Sequence, residues 1–309
     1  MDLRQINYFV ALFEEGSVTR AAQRVHVVQP ALSMQIAKLE RELGQKLFDR
    51  TPRAMEPTAA GRTLHRLVQP ILRDLSLARE HMARLSRTAI SGRVTIGVLS
   101  SLASSVIPVV LVRFATAHPD VEVSMVDGYT STFIEMVNSG ELDLAIINKP
   151  PRKLGLVSHS LMDEEMVLVG GRDTPLPVAL PLTMHDLVRL KLALPSVRHG
   201  LRIELDRHLS AEDIALTPKL ELDSPPGLAS FAACSDWFTI LPSIAITQQL
   251  REGSLRAYRI VAPRITRQLV GIHLPQQPMS AAAVRLLDVL AEELRATSRQ
   301  LLTLIADSD

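Results

Sequence analysis

Seven apolar residues, Leu64, Val68, Ile71, Leu75, Ala78, Met82 and Leu85, stand at spacings that alternate between four and three. That period is the seam of a coiled coil, and it predicts one long helix over 58–85. A seam of this length points to pairing with a second copy; the alternative is a helix that packs within its own subunit. Pro70 falls inside it, removes a backbone hydrogen bond and predicts a bend. The segment SRTAISGR, 86–93, then reads as a hinge. The chain changes texture across this helix.

Before it, everything reads as helix. Leu3, Ile6, Phe9, Val10 and Phe13 recur at helical spacing, and Glu15-Gly16 ends that run. Ser17 is placed to N-cap a short second helix, Val18 to Val25, whose Ala21 and Ala22 permit a close crossing. After the break HVVQ comes a third helix within VVQPALSMQIAKLERELG. Pro30 suits its first turn, because the missing N–H has no helical partner there. Leu32, Ile36, Leu39 and Leu43 point inward on this register, leaving Gln29, Pro30, Ser33 and Met34 outward. Two short helices, a tight turn and a third helix opening on small polar residues describe a helix-turn-helix. A three-helix packing unit without DNA is the alternative. The turn-rich LFDRTPRAMEPTAAG, with Arg50, Pro52 and Arg53, reads as a basic wing, and Thr58 as the cap of the long helix. Residues 1–90 hold 14 lysines and arginines against 9 acids, although the whole chain is only +1. A basic N-terminal third points to an anionic partner, nucleic acid first.

After it, strand-like runs alternate with helices. RVTIGVL (93–99), VEVSMVD (121–127) and LDLAIIN (142–148) are separated by helical Val106–Ala117 and Thr132–Asn138, the texture of parallel strands with crossover helices. A second set follows: MVLVG, KLALPS, PKLELD and WFTILPS, separated by DLVRL, RIELDRHL and GLASFAAC. The chain closes with the strand QLVGIHLP and a helix from Ser280 to about Ile305.

At 309 residues there is room for two or three domains, each with its own core. No run approaches the ~20 apolar residues of a membrane span. MDLRQINYF is too polar for a signal peptide. One cysteine, Cys234, excludes an internal disulfide and a multi-cysteine zinc site. These features predict a cytoplasmic protein without a membrane partner. Cys234 sits in the apolar SFAACS and reads as a buried, inert thiol. Enzymatic signatures are missing: there is no G-x-S-x-G elbow, no P-loop lysine motif and no H-E-x-x-H. The nine histidines are scattered without metal-ligand spacing, so no metal or resident cofactor is expected.

The order helix-turn-helix, long helix, two-part α/β domain resembles a LysR-type transcriptional regulator over essentially the whole chain. FVALFEEGSVTRAAQRVHVVQPALSMQIAKLERELGQKLFDR, the following R-x-x-x-PTAAG and the RVTIGVL strand carry the likeness, with Leu241-Pro242 as a further detail. The resemblance implies a winged helix-turn-helix over 1–58 and a linker (dimerisation) helix over 59–87. It further implies an effector-binding domain of two periplasmic-binding-protein-like α/β lobes over 88–309. Its third helix would enter the major groove with Gln29, Pro30, Ser33 and Met34 toward base edges. Arg20, Lys38, Arg50, Thr51 and Arg53 would meet phosphates or the groove edge, Arg53 at the wing; for each basic residue a solvated surface charge is the alternative. Many relatives carry arginine where Met34 stands. Methionine lacks the two-pronged hydrogen bond that arginine makes to guanine, so readout there would be weaker or apolar.

The family also implies a small-molecule effector between the lobes, where strand ends and helix starts collect. Ser100, Ser101, Ser104 and Ser105 follow the first strand of the domain, and Thr130 and Ser131 follow the second. Ser101 and Thr130 match the family's effector contacts most directly. Ser196, His199, Gly200 and Arg202 would face them from the other lobe. Hydroxyls at helix starts also serve as plain caps, His199 also fits an exposed loop, and Arg202 a surface helix. Small carboxylated metabolites fit the lining. The HGLR run, 199–202, is similar to nitrogen-assimilation regulators of the family. Homodimers assembling to a homotetramer on a double-stranded DNA operator are expected, with RNA polymerase as a partner if the protein activates. A secreted solute-binding protein shares the two lobes but has no use for the first 90 residues.

Overall fold

The computed structural model describes residues 1–50, 55–84, 90–261, 263–301 and 303–305, the side chains of residues 50, 73 and 76–84 excepted. The chain forms two compact units, Met1–His81 and Met82–Asp309.

The first unit opens with three helices: α1 (Leu3–Glu15), α2 (Val18–Arg24) and α3 (Gln29–Leu43). A capping box starts α1: Asp2 accepts from the Gln5 amide at 2.8 Å, and Gln5 Oε1 accepts from the Asp2 amide at 3.0 Å. Gly16 ends it in the left-handed region at φ +58°, which glycine enters without steric penalty. Ser17 occupies the N-cap position of α2, but its side chain makes no capping bond, contrary to expectation. Phe9, Leu12, Ala21, Leu32, Ile36 and Leu39 form the buried centre. Leu43 does not join it: at 38% exposure it overhangs the core in the last turn before Gly44. A two-stranded wing follows, β1 (Phe48–Arg50) against antiparallel β2 (Met55–Pro57). Glu40 ties it to α3 by accepting from the Leu47 amide at 2.8 Å.

Helix α4 (Ala59–Arg84) starts at Thr58, whose Oγ1 accepts from the Gly61 amide at 3.0 Å, and it contains Pro70. The start of its seam is used inside the subunit. Val68 is 1% exposed in the helix-turn-helix core, and Leu64 and Leu72 pack beside it. Ile71 and Leu67 face outward at 48% and 60% exposure. The side chains of Ala78 and Met82, with Leu85 and residues 86–89, lie outside the described residues.

The second unit begins with β3 (Gly92–Leu99), α5 (Ser100–Ala103), α6 (Ile107–Ala117), β4 (Val121–Gly128), α7 (Thr130–Asn138) and β5 (Leu144–Asn148). There β3 pairs in parallel with both β4 and β5, the expected crossover arrangement. Next come β6 (Val157–Gly171), β7 (Ala193–Leu194), α8 (Gly200–Ser210), β8 (Leu220–Glu221) and α9 (Pro225–Ala233). The remainder is β9 (Thr239–Pro242), α10 (Thr247–Glu252), β10 (Leu255–Tyr258), β11 (Thr266–His273) and α11 (Ala281–Leu301). DLVRL forms a 3-10 turn, Met184–Arg189, rather than an α-helix.

A second parallel pair is present, β7 with β8, as expected, but antiparallel strands join the two sets. β6 runs for 15 residues and pairs antiparallel with β11, β9 and β10, giving one sheet ordered β10-β6-β11-β5-β3-β4 with β9 also on β6. Its first half borders the first lobe and its second half the other. Alternation along the strand serves two cores: Val167 and Val169 join the large cluster, while Met166 and Leu168 join the one beneath α8. β6 and β11 thus carry the chain between lobes. Cys234 is the C-cap of α9 and is exposed, correcting the expectation of a buried thiol.

Candidate functional site

The first candidate surface is the start of α3. Gln29, Pro30, Ser33, Met34 and Lys38 are all exposed, Met34 by 62%. The helix period explains this, since Leu32, Ile36 and Leu39 take the buried stripe between them. Gln29 Oε1 accepts from Thr19 Oγ1 at 3.5 Å, a link from α3 to α2. Arg20 is less free than its exposure implies: its Nε lies 3.3 Å from Glu15 Oε2, and its Nη2 also donates to the Glu15 carbonyl. Thr51 and Arg53, and the Arg50 side chain, lie outside the described residues.

The second candidate is a cavity of about 280 Å³, counting its open mouth, in the C-terminal unit. It gathers Ser100 and Ser101 from α5, Tyr129 and Thr130 from the start of α7, and Asn148 from the end of β5. His199, Gly200 and Leu201 come from the start of α8, and Arg267 from β11. Chain ends of parallel strands therefore face a helix start across the gap, as in other open α/β sites.

Two hydroxyls in this cavity have no partner: Ser101 Oγ and Thr130 Oγ1 are both buried and make no hydrogen bond. A buried unpaired hydroxyl costs about 1–3 kcal/mol. Ser100 differs, since its Oγ donates to Asp127 at 2.6 Å. His199 is 8% exposed, and its Nδ1 accepts from the Leu201 amide at 3.1 Å, so it N-caps α8. Burial pushes its imidazole below 6.5; Asp223 opposes that shift and Arg267 adds to it. The ring is therefore neutral at neutral pH, with its proton on Nε2 because Nδ1 is the acceptor. Gly200 keeps the gap open, because a Cβ there would come within 3.1 Å of Asn148 Nδ2.

Arg267 is the largest fully buried side chain among the described residues. Its Nε donates to Glu164 Oε2 at 2.8 Å, its Nη2 lies 2.6 Å from the same oxygen, and its Nη1 donates to Asn148 at 3.3 Å. Glu164 Oε1 in turn accepts from the Ile244 amide at 2.8 Å. The cavity thus has a guanidinium in its wall whose charge is balanced within the protein. Thr266, next to Arg267, offers its carbonyl to His208 Nε2 at 2.9 Å, joining β11 to the far end of α8.

Not every residue singled out by sequence reaches this cavity. Ser131 is exposed outside the lining. Ser196 donates its amide and hydroxyl to Asp223 at 2.7 and 2.8 Å, and the Asp223 carbonyl accepts from Tyr129 across the lobes at 3.0 Å. Arg202 is buried, but its guanidinium is committed to Asp206, the Pro195 carbonyl and the Leu216 carbonyl at 2.7, 3.3 and 2.9 Å. It holds the second lobe together and does not line the cavity. Conversely, sequence reading missed Tyr129, Asn148, Glu164 and Arg267. Asn148, the polar terminus of a wholly buried strand, and Arg267, a charge inside an apolar one, were the available signals.

Comparison with known proteins decides the family. Residues 3–62 match the model of the bacterial regulatory helix-turn-helix protein of the lysR family, and residues 87–295 match that of the LysR substrate binding domain. The chain belongs to the LysR family. It is a DNA-binding regulator of transcription, of a kind modulated by small molecules in the C-terminal domain, and not an enzyme. This LysR-type chain is 31% identical over 246 residues to the nitrogen assimilation regulatory protein nac of Escherichia coli, covering 79% of each. Its fold matches a full-length OxyR variant from Pseudomonas aeruginosa with a TM-score of 0.75 at 23% identity, over 97% of both chains. Full-length CbnR complexed with its target DNA matches with a TM-score of 0.66 at 20% identity, over 96% of this chain and all of that one. No helix among the described residues is long and apolar enough to cross a membrane.

Proposed function

We propose that this regulator reads a double-stranded operator with Gln29, Pro30, Ser33 and Met34 and answers to a small carboxylated metabolite in the Ser101–Thr130 cavity. The observation that carries the second half is the pair of buried hydroxyls left without partners, Ser101 Oγ and Thr130 Oγ1. Both can donate to a carboxylate oxygen, and the His199 Nε2–H is a third donor in the same wall. Ser100 and Asn148 extend the polar lining. Gln29 and Ser33 suit base edges, and Met34 suits a thymine methyl. Lys38 and Arg20, with Arg50, Thr51 and Arg53 of the wing, would contact phosphates.

In this reading α4 joins two chains, and two such dimers form a tetramer on spaced operator sites. The exposed Ile71 and Leu67 support the pairing. An effector that binds one lobe arrangement more tightly shifts the population toward it. That shift would change the spacing of the DNA-binding pairs, the DNA bend and, for an activator, contact with RNA polymerase. The protein works in the cytoplasm. The experiment is thermal unfolding of the full chain against a panel of small mono- and dicarboxylic acids, with operator binding followed by anisotropy. A ligand that raises Tm in wild type but not in a Ser101→Ala variant is expected. A stabilising acid that works equally well on both would refute the cavity assignment.

A further inference from the structure

Strands β6 and β11 carry a second polar cluster, outside the cavity lining and toward the other end of their pairing from Glu164 and Arg267. His159 stands opposite Gly271, and His273 opposite Val157. The two histidines are therefore diagonal neighbours on one face of the sheet. Their Nε2 atoms lie 3.1 Å apart, and the ring planes are within 16° of each other. His273 Nδ1 is 2.9 Å from the Leu274 carbonyl and 3.2 Å from that of Gln277. Carbonyl oxygens only accept, so this nitrogen carries the proton of the neutral ring. The Nε2 of His273 then presents its lone pair to His159.

We propose that His159 and His273 form a binding site for a divalent transition metal of the zinc or copper(II) class, with water completing the coordination shell. Imidazole nitrogen is a preferred donor for both ions. Metal–nitrogen bonds of ~2.0–2.1 Å at a tetrahedral angle place two nitrogens about 3.3 Å apart. The observed separation is 3.1 Å, so an opening of about 0.2 Å admits such an ion between them. The backbone carbonyls on His273 Nδ1 supply the outer hydrogen bond that fixes a ligating imidazole in the right tautomer. His159 needs only a tautomer change, its proton moving from Nε2 to Nδ1 as Nε2 donates its lone pair. Two dative bonds form and no proton is lost. Among the described residues no three His, Cys, Asp or Glu side chains gather for a metal. The site is thus a two-ligand one that loads and unloads readily, and a bound ion would staple β6 to β11.

The test is copper(II) titration of the metal-free full-length protein, read by electron paramagnetic resonance, with zinc affinity measured against a chromophoric chelator. One copper per chain with nitrogen hyperfine splitting from two imidazoles is expected. His159→Ala and His273→Gln should each weaken binding at least tenfold, with unchanged circular dichroism, while replacing the exposed His185 changes nothing. Should His273→Gln fail to fold, His159→Ala alone decides, because that ring is half-exposed. Wild type that takes up no metal, or metal affinity that survives loss of His159, overturns the proposal.

Discussion

The start of α3 and the cavity between the lobes, the two surfaces proposed to meet a partner, hold their polar side chains in opposite ways. Gln29 and Ser33 are exposed, and water serves their polar atoms beyond the Thr19–Gln29 bond. Ser101 Oγ and Thr130 Oγ1 are shut away from water with nothing to bond. The first surface costs nothing to maintain. The second is maintained against an unpaired-group penalty of about 1–3 kcal/mol for each hydroxyl. Only a well-anchored frame can hold such groups, and the buried Arg267–Glu164–Ile244 bonding supplies it. An exposed polar surface is thus set by one helix, whereas a preorganised cavity requires several elements locked together.

The strongest way to break this comparison is to cut the frame. Arg267→Met leaves the Glu164 carboxylate buried without its cation and should destabilise the C-terminal unit by about 3–5 kcal/mol in urea unfolding. Wild-type stability in that variant would show that the frame does not depend on the pair. On the DNA side, Leu39→Ala should lose about 2–5 kcal/mol, because that side chain is fully buried. Leu43→Ala should stay within roughly 0.5 kcal/mol, as befits an exposed residue; equal losses would contradict the overhanging last turn.

Smaller effects separate reading from holding. Ser33→Ala and Gln29→Ala should each remove about 1–3 kcal/mol of discrimination among operator variants while leaving Tm unchanged. Met34→Arg should add preference for guanine at the apposed base, and an unaltered base preference would deny that position any direct role. In the cavity, Ser101→Ala should leave stability unchanged or raise it by up to ~1 kcal/mol, because it removes an unpaired group. The same change should weaken the effector-induced rise in Tm.

The smallest effect is a pH dependence. The His199 imidazole is held below 6.5 in the folded protein, so the unfolded chain takes up the proton first. Its contribution to stability is complete above 6.5 and diminishes as pH falls through that value toward the lowered folded one. Protonation also removes the Nδ1 acceptor that caps α8. Comparing Tm of wild type and His199→Asn from neutral pH downward should reveal a steeper acid decline in wild type. Parallel curves would mean that His199 does not titrate with folding.

Legibility in the sequence followed the range of the interactions. The α3 surface was readable because Leu32, Ile36 and Leu39 fix which side faces out within a single helix. Leu43 misled for the same reason: periodicity marks a face but not where the underlying core ends. Ser101 and Thr130 were found through the family pattern, while Arg202 was misplaced because its partners, Leu216 and Pro195, approach from elsewhere in the lobe. The first half of β6 escaped notice because Ser158, His159, Ser160, Asp163, Glu164 and Glu165 look like a loop. Pairing with β11 gives those residues their strand.

By itself, the sequence determined the local elements and their order: three helices with a wing, one long helix, and an α/β domain that opens on parallel strands. Those follow from periodicity, caps and turn residues, which act over a few positions. Tertiary structure alone decided that Val68 belongs to the helix-turn-helix core, that Cys234 is exposed, and that one antiparallel strand binds both lobes. It also brought Arg267 to Glu164, over a hundred positions away in the chain, and set Arg267 in one cavity wall with Ser101 and Thr130. Burial and the pairing of buried charges depend on every neighbour in space, and no stretch of sequence names those neighbours.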